Sequence, residues 1–250
     1  MKQAELKAFL DEKAAYYEHP RFIETDPIQI PHQFHHKQDI EIAAFLTATI
    51  AWGNRKSILN SAQKMMTILG GTPHDFVMNY EMSPLPDFVH RTFKTADLTF
   101  LCQGLQRLYQ NFPDMDAFFV AQGDGTVAEK ICAFRDFMLL SPHEKRSEKH
   151  LSNPLKGSAA KRLNMFFRWM VRDAKAGVDF GLWKGIRPAE LSLPLDVHTG
   201  NVARKLKLLK RKQSDRKALE ALDARLRKMD PKDPVKYDFA LFGLGVFEKF

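Results

Sequence analysis

The chain has 250 residues, 44% hydrophobic and 27% charged with 20 Phe, which suits one large folded domain or two small lobes and excludes intrinsic disorder. No apolar run approaches the roughly 20 residues that span a bilayer, and the first eighteen residues lack an apolar signal-peptide core, so a cytoplasmic protein without membrane contact is expected. Lys and Arg number 38 against 30 Asp and Glu, a net charge of +8; residues 141–212 hold 17 basic and 6 acidic side chains, a local net of +11 that leaves −3 for the remainder. A basic sector on an otherwise slightly acidic protein implies a polyanion-binding face. The alternative is a solvated surface with surplus lysine. Cys102 and Cys132 lie in separate apolar stretches without CxxC spacing, so they read as buried thiols and cannot form a four-cysteine metal site.

Helical periodicity dominates from the start. Ala4 to Tyr17 is expected as an amphipathic helix, with Leu6, Phe9, Leu10 and Tyr17 at helical spacing. A connector from His19 to His36 follows. Gln38 to Ala51 is apolar on nearly every face and should be buried. The turn Trp52-Gly53-Asn54 separates it from a helix over Arg55–Leu69, which Gly70-Gly71-Thr72-Pro73 stops. Thr95 to Phe112, a short helix from Met115, and Thr126 to Leu140 come next. Ser158 to Arg172, a glycine-containing connector to Pro194, a helix from Asp196 or Val197 to about Leu208, then Ser214–Met229 and Pro234–Glu248 complete the chain. No segment alternates with a period of two, so the expected fold is all-α with about ten helices.

Three constellations could carry chemistry. In Leu155-Lys156-Gly157-Ser158-Ala159-Ala160-Lys161, a small-residue turn feeds a helix N-terminus that can hold a phosphate. Ser158 is expected to cap that helix and Lys161 to sit about one turn in. The positive end of the dipole would lower the lysine's pKa and sharpen it as a nucleophile; alternatively Lys161 is a surface lysine that binds phosphate. In Leu195-Asp196-Val197-His198, Asp196 stands at a helix start, either as an N-cap worth about 1 kcal/mol or as a semi-buried carboxylate acting as base or electrostatic stabiliser. Arg204, Lys205 and Lys207 further along suit phosphates. The Trp52-Gly53-Asn54-Arg55 turn is either a helix-packing tryptophan beside a glycine turn or a stacking platform with polar fingers for a nucleic-acid strand. His19, His32, His35 and His36 match no zinc spacing, and no glycine segment fits GxGxxG or Walker A, so no metal or cofactor is expected.

Together these residues resemble the helix–hairpin–helix DNA glycosylases of the endonuclease III superfamily. Leu155, Gly157 and Lys161 are similar to the hairpin leucine, first glycine and catalytic lysine of the family's L-P-G-V-G-R-K motif. Leu195-Asp196-Val197-His198 with Val202 and Arg204 resembles its V-D-T-H-…-R-V stretch, which supplies the catalytic aspartate. Ile40–Ala51 with the Trp52–Arg55 turn looks like its first barrel helix and DNA-inserting loop, and Phe239–Gly243 like its closing helix, so the likeness covers most of residues 38–245. Ala159 replaces the second hairpin glycine, where a positive φ is less comfortable. The 35-residue spacing of Lys161 and Asp196, without cluster cysteines, looks more like the archaeal 8-oxoguanine DNA glycosylase branch. The string Lys161–Arg172 is also similar to an uncharacterised bacterial domain of unknown function.

The resemblance implies two helical lobes with a cleft between them, one over residues 37–175 and the other over 1–36 plus 176–250. It implies double-stranded DNA bearing a damaged base as partner, with contacts from Lys156, Gly157, Ser158, Ala159, Arg162, Arg204 and Lys205. The target base would be flipped out, Lys161 would form a Schiff base at C1′, and Asp196 would assist. Trp52, Asn54 and Arg55 would fill the gap or read the base, with an oxidised purine as substrate. The rival readings are a non-catalytic DNA- or RNA-binding module, which needs neither Lys161 nor Asp196, and a helical adaptor, which leaves the local charge unexplained.

Overall fold

Short polar caps set several helix starts. In the computed structural model, which describes residues 2–250, Asn54, Asp114 and Asp215 each accept a hydrogen bond from the backbone N–H three residues on, at 3.2, 2.7 and 3.0 Å. Thr126 and Glu129 form a reciprocal capping box. The helices among the described residues are α1 (Gln3–Tyr17), α2 (Lys37–Thr49), α3 (Arg55–Ile68), α4 (Pro73–Met78), α5 (Thr95–Asn111), α6 (Met115–Ala121), α7 (Val127–Met138), α8 (Lys161–Val171), α9 (Val197–Lys205), α10 (Arg216–Met229) and α11 (Tyr237–Val246). The all-α expectation holds at this level, and none of the described helices is long and apolar enough to cross a membrane.

Two local elements differ from expectation. Pro73 does not merely stop α3 but opens α4, because a proline's missing N–H costs nothing at a first helical position. A two-residue antiparallel ladder pairs β1 (Val89–His90) with β2 (Phe93–Lys94), and Arg91 in their turn has φ +56°. Strands of two residues are too short to show alternation.

The chain divides into two compact units, residues 25–153 and residues 2–24 with 154–250. The boundary falls after Asn153, not at 175, so α8 belongs with the chain ends. In the unit of residues 25–153, α2 is buried from Asp39 to Thr49, as its composition required. Its Glu41 carboxylate accepts from the Tyr109 hydroxyl at 2.9 Å and the Met115 N–H at 3.1 Å, which satisfies a charge that would otherwise be costly to bury. Both cysteines are buried and free, and burial pushes the Cys102 thiol up to about 12.

In the other unit α11 packs along α1 and against α9. Leu10, Ala14, Leu222, Leu226, Leu241 and Leu244 form the centre of its core. Gly243 allows the close approach of α1, since a Cβ there would overlap the Tyr17 ring. Helix α8 is buried from Leu163 to Val171, with Phe166 and Phe167 edge-on to Trp183 at 5.1 and 5.3 Å. That packing against the following connector is what keeps α8 in this unit.

Candidate functional site

The hairpin before α8 is built by backbone geometry. Residues Pro154–Lys156 form a 3₁₀ turn whose Pro154 carbonyl accepts from the Gly157 N–H at 3.0 Å. Gly157 has φ +93° with open space where a Cβ would stand, so it is the sign of φ rather than crowding that favours glycine. The second positive φ falls on Ala160, at +44°, not on Ala159. A left-handed alanine costs about 1–2 kcal/mol, and several contacts offset this. The Ser158 Oγ accepts from the Ala160 N–H at 3.0 Å. Asn164, buried, donates its N–H to the Ala160 carbonyl and its Nδ2 to the Ala159 carbonyl, both at 2.9 Å. The Gly157 carbonyl accepts from the Arg216 N–H at 3.0 Å, which ties the turn to the start of α10.

Ser158 is therefore not the helix cap. Ala160 occupies that position and Lys161, half-buried, is the first residue of α8 rather than one turn in. Ser158 instead uses its hydroxyl inside the turn, two residues from its donor, a short-range competition typical of serine.

Asp196 is the N-cap of α9, and its Oδ1 accepts from the Thr199 N–H at 2.8 Å. It is half-buried, and among the described residues its Oδ2 takes no hydrogen bond. The first turn of α11 adds a group that the sequence did not reveal. Asp238 is buried and its Oδ2 accepts from Arg168 Nη1 at 2.5 Å. Burial raises this carboxyl to about 6 against the pull of Arg168; the nearby Asp196 charge raises it further and Lys161 opposes the rise. Ala159, two residues before Lys161, and Leu195, next to Asp196, pack in one buried core with Tyr237, so the starts of α8, α9 and α11 meet on that core.

Asp238 and its surroundings belong to a larger ion network. Arg168 stacks over the Phe239 ring at 4.4 Å and approaches Asp179 at 3.4 Å. Arg172, one turn on, pairs with Glu18, Asp179 and Asp233 at 2.6, 2.7 and 2.7 Å. The available signal was two arginines four apart in a helix otherwise rich in Phe, Met and Trp, together with an aspartate inside Tyr237–Leu241. Long cations on a buried helix face need buried carboxylates.

A carboxyl raised in the folded state above its unfolded value near 4 binds its proton more tightly when folded. Its stabilising contribution is complete below about pH 4 and is lost as pH rises through about 6. Asp223, also raised by burial to about 6, adds to the same window. Wild type should therefore lose stability relative to Asp238→Asn between pH 4 and 6 in denaturant titrations; parallel pH–stability curves would show that folding leaves the Asp238 carboxyl unshifted.

The other expected site residues lie as follows. Lys156 is exposed, and Arg162 is half-buried, with its guanidinium pushed down to about 10 by burial, still charged at neutral pH. Arg204 is committed internally: it donates to the Arg211 and Lys212 carbonyls at 2.8 and 2.7 Å and to the Ser214 hydroxyl at 3.2 Å. Its role here is to hold the loop before α10. Lys205 is exposed, 5.7 Å over the Phe250 ring. Trp52, Asn54 and Arg55 belong to the unit of residues 25–153. The Trp52 indole, half-buried, meets His90 edge-on at 5.2 Å and stacks with His150 at 5.8 Å. Asn54 caps α3, and Arg55 donates to Thr25 Oγ1 at 3.3 Å.

A family model described as a protein of unknown function, DUF2400, matches residues 26–247. The chain belongs to the DUF2400 family. The match reaches across both units of this DUF2400 protein and includes Lys161, Asp196, Asp238 and the Trp52 turn. The expectation of an uncharacterised family is met, and membership in DUF2400 assigns no activity. No curated protein and no solved structure matches the sequence.

Proposed function

We propose that this protein is a DNA glycosylase and AP lyase of the helix–hairpin–helix type, acting on an oxidised purine through Lys161. The observation that carries the reading is geometric: Ala159, two residues before Lys161, and Leu195, next to Asp196, pack in one buried core with Tyr237, which precedes the buried Asp238. A hairpin lysine and a helix-capping aspartate, 35 residues apart in sequence, are thus held on the same core. The Lys161 amine, once deprotonated, forms a bond to C1′ as the C1′–N9 bond breaks; the base leaves with the electron pair and takes up a proton, and the proton on the attacking nitrogen passes to the ring oxygen as the sugar opens. Opening of the sugar ring gives the Schiff base. Loss of a C2′ proton then expels the 3′ phosphate and nicks the strand. Asp196 would stabilise the positive charge that develops on the sugar.

Borohydride trapping on a panel of lesion-containing duplexes tests the proposal. Wild type should give a covalent adduct and a nicked product with at least one oxidised purine. Lys161→Gln should give neither while still binding duplex, and Lys156→Gln should only weaken binding. A Lys161→Gln protein that cross-links and nicks like wild type would refute the assignment.

A second reading, a non-catalytic DNA- or RNA-binding protein, has its own support. The Asp196–Thr199 cap at 2.8 Å accounts for an aspartate at that position without chemistry. Duplex binding without any trapped adduct would favour it.

A further inference from the structure

Helix α9 carries Asp196 at its N-terminal end and Lys205 at its C-terminal end, about 14 Å apart at 1.5 Å per residue. Around the far end lies an open groove of about 690 Å³. Four cations line it, Lys205, Lys207, Arg225 and Lys228, and no lining residue is acidic. Among the described residues, no carboxylate forms an ion pair with any of the four. Arg225 is positioned by its bond to the Lys207 carbonyl at 2.8 Å, and Lys207 has φ +59°. The rest of the lining is largely apolar: Leu206, Met229 and Phe250 are part of it. Four like charges gathered here repel one another, so an anion that fills the groove gains from all four.

We infer that this groove binds an acidic peptide segment with apolar anchor residues, supplied by a partner protein. The volume lies within the usual range of ligand sites and exceeds what one phosphate or carboxylate would fill. The recessed Leu206 and Met229 call for aliphatic or aromatic side chains, which acidic residues on either side would steer onto the lysines. A nucleic-acid strand fits less well. Its bases need aromatic faces, and the groove offers Phe250 alone, with the Lys205 ammonium already over the ring at 5.7 Å. A peptide also brings backbone N–H donors towards the C-terminal ends of α9 and α10, whose dipoles carry partial negative charge. A phosphodiester has no such donor. The recessed floor likewise suits a peptide better than a flat membrane surface.

The site is independent of the glycosylase reading, and the test keeps the two apart. The probe is a fluorescein-labelled peptide of about nine residues with paired Asp flanking Leu, Ile and Phe, titrated by anisotropy with the full-length protein at low salt. Saturable binding is expected. It should weaken about tenfold or more when the peptide's Asp become Asn or its apolar residues become Ser. Arg225→Glu/Lys228→Glu, both outside the basic sector of residues 141–212, should weaken it at least as much, with any nicking at saturating duplex unchanged. The charge reversal is at exposed positions, so an unchanged melting temperature is expected and shows that the variant is folded. Leu206→Ser, at a half-buried position in the lining, should also weaken the peptide. No saturable binding up to about millimolar peptide, equal binding of the Asn peptide, or displacement by oligothymidylate at lower concentration than by unlabelled peptide would overturn the inference.

Discussion

Replacing Arg172 by methionine is expected to cost about 3–5 kcal/mol of unfolding free energy, the range for breaking a buried ion pair from one side. The guanidinium gives Nε and Nη2 to Asp233 at 3.0 and 2.7 Å and Nη1 to Glu18 and Asp179 at 2.6 and 2.7 Å. Its removal leaves Asp179, wholly buried, with only the more distant Arg168 guanidinium at 3.4 Å. The cost then comes from desolvated carboxylates without partners, not from the lost attraction alone. Two further variants separate these contributions. Arg172→Met/Asp179→Asn should recover part of the loss, because it removes one orphaned charge. Arg172→Lys should fall between, since an ammonium keeps the charge but cannot reproduce the fork on Asp233. An exposed pair such as Arg216–Glu220 should give less than about 1 kcal/mol in the same assay. Urea unfolding of the four variants gives the ranking, and an Arg172→Met cost near that of the exposed pair would show that the network contributes no stability.

Asp196→Asn should reduce lesion cleavage by about 10²–10⁴, the range for a lost general base or electrostatic stabiliser. The same change should alter stability by less than about 1 kcal/mol, because asparagine is also a good N-cap. The two oxygens explain the split. Oδ1 holds the Thr199 N–H at 2.8 Å, a bond that an asparagine oxygen keeps. Removing the negative charge also relieves Asp238, whose carboxyl Asp196 pushes upward. Single-turnover cleavage beside thermal melting measures both quantities. Wild-type cleavage by a normally folded Asp196→Asn protein would leave Asp196 as a cap and reduce the functional reading to nucleic-acid binding.

Much of the local structure was legible in the sequence. The apolar run Ile40–Ala51 specified a helix buried on nearly every face, and α2 is one. The expected starts at Arg55, Thr95 and Met115 coincide with helix starts, and that expected at Asp196 or Val197 falls on Val197, because periodicity and caps act within one turn. Asp196 at the head of α9 was legible for the same reason. The ladder at Val89–Lys94 was not, since its four paired residues are too few to show alternation.

What depended on distant residues was settled only in three dimensions. The sequence placed the capping residue of α8 at Ser158, but Asn164, the Arg216 N–H and the Ser158 hydroxyl hold a left-handed Ala160 in that place. Arg204 reads as a phosphate ligand in sequence, yet the carbonyls of the loop before α10 take up its donors. The partners of Arg172 lie 7, 61 and 154 residues away, and Asp238 lies 70 residues from Arg168. By itself the sequence determined where most helices form, because hydrophobic period and capping are local. Only the tertiary structure decided which charges are buried together, because desolvation and Coulomb attraction depend on distance through space and not along the chain.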